Sequence, residues 1–327
     1  MRVFLTGANG FIGSAVARQL VGAGHDIVCL LRATSGLDRI RDLPFTRIPG
    51  DVRDAASLRA AMHECDCTIH LAAPGAWEQD DPSHLREVVE EGTRHLLDVA
   101  AEHRGHRVVV VSSTAAIAAS DDPIIFDECT PFAIPDGSLH YAVAKHRAER
   151  VARDAHARGV HVVVVNPAEV YGPGDTALVT AGNLIDFATS NPVLVCRGGT
   201  CVVHVDDVAA GIIAAMHRGR SGERYILGAD NVTIRQLAEL VLELVGRRAR
   251  IIELPNGLAR VATRLAVGLH LPLPFNPHVV PYATRYWFVD STKARHELGV
   301  SFRGARETIA ETLDWLVRGA RLSTTAP

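Results

Sequence analysis

The chain lacks a strong charge of either sign. Its 34 Lys and Arg stand against 37 Asp and Glu, a formal net charge of -3 with a pI near 6.6. The basic footprint of a nucleic-acid binder, or of a protein held on an anionic membrane surface, is therefore missing, and neither partner is expected. No apolar run approaches the roughly 18 to 20 residues that a membrane helix needs. The opening Arg2-Val3-Phe4-Leu5 is too short for the core of a signal peptide and runs straight into a glycine-rich turn. Cysteine is sparse: six in 327 residues, none in a CxxC pair, which is not a disulfide framework. These absences together lead to the expectation of a cytoplasmic protein in a reducing compartment. Internal repeats and low-complexity tracts are also missing.

What is present is an ordinary soluble balance, 47% hydrophobic and 22% charged, in a chain long enough for one large domain or two intimately packed ones. Short β-branched runs alternate with amphipathic stretches through the first half. Strands are expected at Val3-Phe4-Leu5, Asp26 to Leu31, Thr46 to Ile48, Cys67 to Leu71, Arg107 to Val111 and His161 to Val165. Helices are expected over Ser14 to Ala23, Ala55 to His63 (behind Asp54 as N-cap), Leu85 to His103 and Tyr141 to Arg158. This rhythm predicts an α/β protein built on a doubly wound parallel sheet. After Asn166-Pro167 the regularity falls. A strand at Cys201 to His204, a helix from Thr233 to Val245, a strand near Arg250 to Glu253, the proline-rich Leu271 to Pro281 and a helix over Ala305 to Val317 precede a polar tail from Ser323, expected to fray. The expected division is a dinucleotide-binding domain over 1–170 and a smaller, mixed α/β substrate-binding region over 171–327, with segments near 200–228 returning to the first.

Thr6-Gly7-Ala8-Asn9-Gly10-Phe11-Ile12-Gly13 leaves a strand and opens a helix. Glycine is required where the turn is tight, where backbone nears a pyrophosphate and where helix meets strand, and the helix N-terminus offers free N–H groups to an anion. Gly7, Gly10, Phe11, Ile12 and Gly13 are thus candidate cofactor-binding residues. The second strand ends Leu30-Leu31-Arg32, without the carboxylate that usually accepts from an NAD ribose. Arg32 suits a 2′-phosphate, with Thr34 and Ser35 as hydroxyl donors, so NADP(H) is favoured and NAD(H) is the alternative. A solvated surface arginine is the competing reading. Asp51 and Val52 after the third strand suit the adenine amino group and ring, and Leu71-Ala72-Ala73 after the fourth lets backbone approach the nicotinamide ribose.

Tyr141-Ala142-Val143-Ala144-Lys145 places Tyr and Lys one helical turn apart on one face. A cationic Lys145 can draw the phenol pKa from about 10 towards neutrality, so that Tyr141 serves as general base to an alcohol or general acid to a ketone. The fifth strand ends Val111-Ser112-Ser113-Thr114, where a serine hydroxyl can bind the substrate oxygen beside the tyrosine.

TGANGFIG at 6 to 13, GDV at 50 to 52, LAA at 71 to 73, SST at 112 to 114, YAVAK at 141 to 145, NPAEVYGP at 166 to 173 and HVDDVA at 204 to 209 together resemble an extended short-chain dehydrogenase/reductase of the NAD-dependent epimerase/dehydratase group. The resemblance spans nearly the whole chain. It implies Ser113, Tyr141 and Lys145 as the catalytic set, with Tyr141, Lys145, Pro167 and Val170 also at the cofactor. It further implies a homodimer pairing the helices Leu85 to His103 and Tyr141 to Arg158.

Departures from the group's pattern bear on the substrate. Thr114-Ala115 stand where dehydratases carry Asp-Glu, Val89 replaces an asparagine before Gly92-Thr93, and Glu169 stands where sugar-nucleotide epimerases usually have asparagine. A carboxylate there repels a diphosphate. Asn166-Pro167 is more like the dihydroflavonol-reductase and hopanoid-associated epimerase relatives. Arg285 lies near a phosphate-binding arginine of sugar-nucleotide enzymes, though a surface role is the commoner fate of a lone arginine.

The expectation is an oxidoreductase interconverting a secondary alcohol and a ketone in a small-molecule substrate. The alternatives are a sugar-nucleotide epimerase with tightly held cofactor and an idle cofactor-binding regulator. The cluster His63 to His70 has metal-ligand residue types, but strand alternation sends Cys67 and His70 to opposite faces, and no metal is expected. His103 and His106 read as capping or solvated residues, Asp206-Asp207 as helix N-terminal carboxylates. Trp77, in the loop Pro74 to Pro82, is a candidate to stack on a substrate ring or to pack against the fold.

Overall fold

The computed structural model describes residues 1–74, 81–134, 139–269 and 279–322. Trp77, most of the proline-rich stretch and the tail from 323 lie outside the described residues. In chain order the first half runs β1 (Arg2–Thr6), α1 (Phe11–Gly22), β2 (Asp26–Leu31), β3 (Thr46–Pro49), α2 (Ala55–Met62), β4 (Cys67–His70), α3 (Pro82–Leu85), a π-helical stretch Arg86–Glu91, α4 (Gly92–Ala101), β5 (Arg107–Val111), β6 (Ile125–Phe126), α5 (His140–Ala157) and β7 (His161–Pro167). The second half runs β8 (Glu169–Tyr171), α6 (Ala181–Thr189), β9 (Val193–Cys196), β10 (Gly199–His204), α7 (Val205–Arg218), β11 (Arg224–Leu227), β12 (Asp230–Thr233), α8 (Ile234–Leu244), β13 (Ile251–Leu254), α9 (Asn256–Gly268), α10 (Val280–Ala283), β14 (Phe288–Val289) and α11 (Ala305–Arg318).

Seven strands form one parallel sheet in the order β11-β7-β5-β4-β1-β2-β3. The Rossmann-type doubly wound sheet is thus as the strand–helix rhythm predicts. Its central strands are buried on both faces, which is why β5 and β7 read as runs of valine rather than as alternating sequence. Within β1, Val3 and Leu5 join the core under α1 and α7, while Phe4 points to the opposite core under α2, α4 and α5. The chain leaves β1 outward through β2 and β3, then resumes on the other side at β4. The reversal between β1 and β4 is the switch point where such sheets bind ligands beyond their strand ends.

The later segments divide between two bodies. β11 pairs with β7 at the sheet edge, and α7 packs against α1, while α6, α8 and α11 bury Leu184, Phe187, Leu237, Val241 and Ile309 against the small sheet β12-β10-β8. Thr233 is the N-cap of α8, in a capping box with Gln236. The helix expected from Leu85 starts at Pro82 behind the Asp81 cap, ends at Ala101 and contains the π-helical stretch. His106 is neither a cap nor solvated. It is buried against Thr68 at 2.7 Å, and burial pulls its pKa down to about 4, so the ring is neutral. No described helix is long and apolar enough to cross a membrane.

Candidate active site

The glycine loop is shaped by close approaches rather than by flexibility. Gly7 has φ 70°, and a Cβ there would come within 2.8 Å of the Leu71–Ala72 peptide; a Cβ on Gly13 would lie 2.0 Å from the Gly7 carbonyl oxygen. Gly10 donates its N–H to that carbonyl at 3.0 Å and stands at the N-cap of α1. No side chain caps this helix and no acidic residue lies in its first turn, so its N–H groups and positive dipole end remain available to an anion. A loop with glycine at its closest approaches, leading into a helix without a side-chain cap, fits a pyrophosphate.

β1 and β4 are held together below this loop by a buried chain of hydrogen bonds. The Thr93 hydroxyl donates to the Val89 carbonyl at 2.6 Å, which leaves its oxygen to accept from His70 Nε2 at 3.2 Å. His70 Nδ1 must then accept from the Thr6 hydroxyl at 2.7 Å, and Thr6 Oγ1 in turn accepts from the Leu71 and Ala72 N–H groups. Burial, with Lys145 nearby, pulls His70 to about 3, so it serves as a neutral strut. The hydroxyl of Thr93 thus finds its acceptor in the backbone at Val89, where the group's asparagine is absent. Cys67, by contrast, sits against Met216 and Glu64 pairs with Arg2, so the metal-type cluster is dispersed.

At the far flank Arg32 is exposed just beyond β2, and its charge helps hold the Asp51 carboxyl below the usual range. The larger cause is Arg53, whose guanidinium donates to both Asp51 oxygens at 3.1 and 2.9 Å. Asp51 is therefore ion-paired with Arg53. Val52 is buried in the core beside Leu58 and Leu96, and fills the space that a Cβ on Gly92 would need.

Ser113, Tyr141 and Lys145 converge where β5 ends and α5 begins. Tyr141 is the second residue of α5, whose N-terminus has no side-chain cap, so the helix dipole favours a phenolate. Burial nevertheless pushes the phenol up to about 12, with the hydrogen bond to Ser113 acting the other way. The expected pull of Lys145 does not dominate. Its Nζ lies 5.8 Å from the Tyr141 ring centre and donates to the Val111 carbonyl at 2.9 Å. Burial pulls that ammonium down to about 8, and the Glu149 carboxylate opposes the fall.

Glu149 is a residue that the sequence reading passed over. One turn beyond Lys145 and fully buried, it accepts from Ser112 Oγ and Asn166 Nδ2 at 2.6 Å each and from Arg224 at 3.2 Å. Asn166 Nδ2 also donates to the Ser113 carbonyl at 2.8 Å. The spacing from Lys145 was a usable signal. Arg224, which arrives from β11, was not legible.

A cavity of about 490 Å³ joins these parts. Gly7, Gly10, Phe11, Ile12, Gly13, Leu71, Ala73, Ser113, Tyr141, Lys145, Pro167 and Val170 all line it, whereas Arg32, Asp51, Val52 and Ala72 do not. Arg285 is likewise outside the lining, donating to the Pro281 carbonyl at 2.6 Å. Glu169 lines the cavity and accepts from the Tyr171 hydroxyl at 2.9 Å, with Thr200 a second partner.

A Rossmann-type sheet, a glycine loop at its switch point and a Ser–Tyr–Lys cluster at the adjoining strand end define a nicotinamide-nucleotide enzyme class. The profile of the NAD dependent epimerase/dehydratase family matches residues 3–228, and the chain belongs to that family. It is 31% identical to a 4-hydroxy-2-methyl-3-oxo-4-farnesyl-3,4-dihydroquinoline-1-oxide ketoreductase of Stigmatella aurantiaca, over 93% of this chain and 92% of that one. It is 28% identical to sterol demethylase protein B of Methylococcus capsulatus, over 96% and 98%. Among solved structures, that of gox2253 superposes with a TM-score of 0.85 at 32% identity, covering 98% of this chain and 99% of the other.

Proposed function

We propose that this protein is an NADP(H)-dependent oxidoreductase that interconverts a secondary alcohol and a ketone. The observation that carries the reading is the cavity itself, which sets Ser113, Tyr141 and Lys145 beside the glycine loop and, away from that loop, offers no free cation to a substrate's own diphosphate among its described lining residues. The Stigmatella relative bears the name of a ketoreductase, the same class of reaction.

The nicotinamide, when bound, supplies or receives the hydride. Gly7, Gly10 and Gly13 would leave room for its diphosphate against the α1 N-terminus, and Leu71 and Ala73 would line the approach to its ribose. Pro167 and Val170 also line the cavity. Ser113 Oγ receives the substrate oxygen beside the Tyr141 phenol, which gives up its proton to a forming alkoxide or takes one from an alcohol. Lys145, held by the Val111 carbonyl and by Glu149, supplies positive charge one turn below the phenol.

Arg32, at the carboxylate-free end of β2, is assigned to the 2′-phosphate. Arg32→Ala is expected to weaken NADPH binding about tenfold or more, the worth of a hydrogen bond to a charged group, and to leave NADH binding within about twofold. Fluorescence titration with both cofactors decides it, and equal losses for the two would remove Arg32 from the site.

The same reading includes a homodimer pairing the α3–α4 segment and α5. Sedimentation equilibrium is expected to give twice the chain mass of 35.2 kDa; a single-chain mass at micromolar concentration would refute the pairing.

A further inference from the structure

The part of the cavity beyond Tyr141 has a composition that restricts its ligand. Phe187, Val195, Leu237, Leu254, Tyr282 and Trp287 line it, contributed by α6, β9, α8, β13 and the segment around α10. Tyr282 and Trp287 stack at 5.4 Å between ring centres, and Trp287 shares a packed cluster with Tyr141, so this aromatic wall reaches the reacting end. Of the ionisable Lys, Asp, Glu, Arg and His side chains, the described lining contains only Lys145, Glu169 and Asp186. Lys145 is engaged by Val111 and Glu149. Burial raises the carboxyls of both Glu169 and Asp186. A diphosphate entering here would lose its hydration to two acids and no available cation, whereas apolar surface would be transferred out of water at about 25 cal/mol per Å².

One polar cluster interrupts the apolar wall. Glu169 is held by the Tyr171 hydroxyl and by Thr200, and Tyr171 also hydrogen-bonds Asn183. All four line the cavity. A carboxyl has more acceptor and donor capacity than these partners use. It can therefore take a hydroxyl, or when protonated donate to a carbonyl, on a ligand whose reacting oxygen lies at Tyr141.

We infer that the substrate is an uncharged, bulky and predominantly apolar ketone or alcohol carrying a second oxygen, and that Glu169 is the specificity-determining residue that receives that oxygen. The inference rests on the proposed oxidoreductase activity for the reaction but on the cavity alone for the ligand. Binding and turnover therefore test the two separately.

Isothermal titration of the NADP-loaded enzyme with mono-, bi- and tricyclic ketones, a tricyclic diketone and thymidine diphosphate is the first experiment. The Kd is expected to fall about tenfold per added ring, with a negative heat-capacity change, and the diketone to bind about tenfold more tightly than the monoketone. Thymidine diphosphate is expected not to compete. Glu169→Leu should erase the preference for the diketone while retaining the dependence on ring number. Glu169→Gln, which keeps an acceptor for Tyr171, should retain part of the preference and guards against misfolding of the leucine variant. A Kd indifferent to ring number, tighter binding of the diphosphate, or a diketone preference that survives Glu169→Leu each overturns the inference. Tight binding of the tricyclic ligands without NADPH consumption would sustain it and refute the oxidoreductase reading instead.

Discussion

Tyr141→Phe is expected to lower kcat for ketone reduction by about 10²- to 10⁴-fold, the range that a positioned acid or base contributes, with NADPH affinity held within about twofold. Phenylalanine preserves the ring that packs with Trp287, Ala142 and Leu139, so fold and cavity shape are kept while the hydroxyl, with its proton and its hydrogen bond to Ser113, is lost. The two directions should also differ in pH dependence. With the phenol pushed up to about 12, the acid needed for reduction is present throughout the neutral range. The phenolate needed for alcohol oxidation is scarce there, so oxidation should climb with pH through the neutral range while reduction stays level up to pH about 8. A Phe variant that turns over at the wild-type rate would take Tyr141 out of the reaction.

The parts of this site legible in the sequence are those made by local geometry. A glycine whose Cβ would strike a backbone atom, as at Gly13, leaves a mark at one position, and a Tyr and Lys one turn apart lie on one helix face whatever the rest of the fold does. The central strands were legible for a similar reason, since burial on both faces demands unbroken runs such as Val108 to Val111. The short strands β8, β9 and β12 and the helices α6 and α9 were not. Each is too short, or too interrupted by nearby glycine and proline, to show its period, and each is stabilised by a partner distant in sequence, as β9 is by β13 and β12 by β10. The charge pairings follow the same division. Asp51 carries the right residue type for an adenine contact, and its pairing with Arg53, only two residues away, is a further contact that spacing alone does not disclose.

Glu149 shows how a residue outside the lining can set the chemistry within it. Its carboxylate is the opposite charge that keeps the buried Lys145 ammonium at about 8 rather than lower, and its oxygens hold Ser112 and Asn166, the latter bound to the Ser113 carbonyl. Lys145 loses its proton above pH about 8, so kcat/KM for reduction is expected to bend downward there as the cation beside Tyr141 disappears. Glu149→Gln removes the charge but keeps the shape, and the bend should move to lower pH by about one unit or more. Glu149→Leu does more damage. It leaves Arg224 with its Glu128 and Thr130 carbonyl contacts but without its counter-charge, and strands two buried donors, so a loss of about 3 to 5 kcal/mol in unfolding free energy is expected. The pH profile separates the roles. A purely structural Glu149 would lower stability in both variants and leave the alkaline bend of Glu149→Gln where the wild type has it. A bend that shifts while the Gln variant remains folded identifies Glu149 as the residue that positions and charges Lys145.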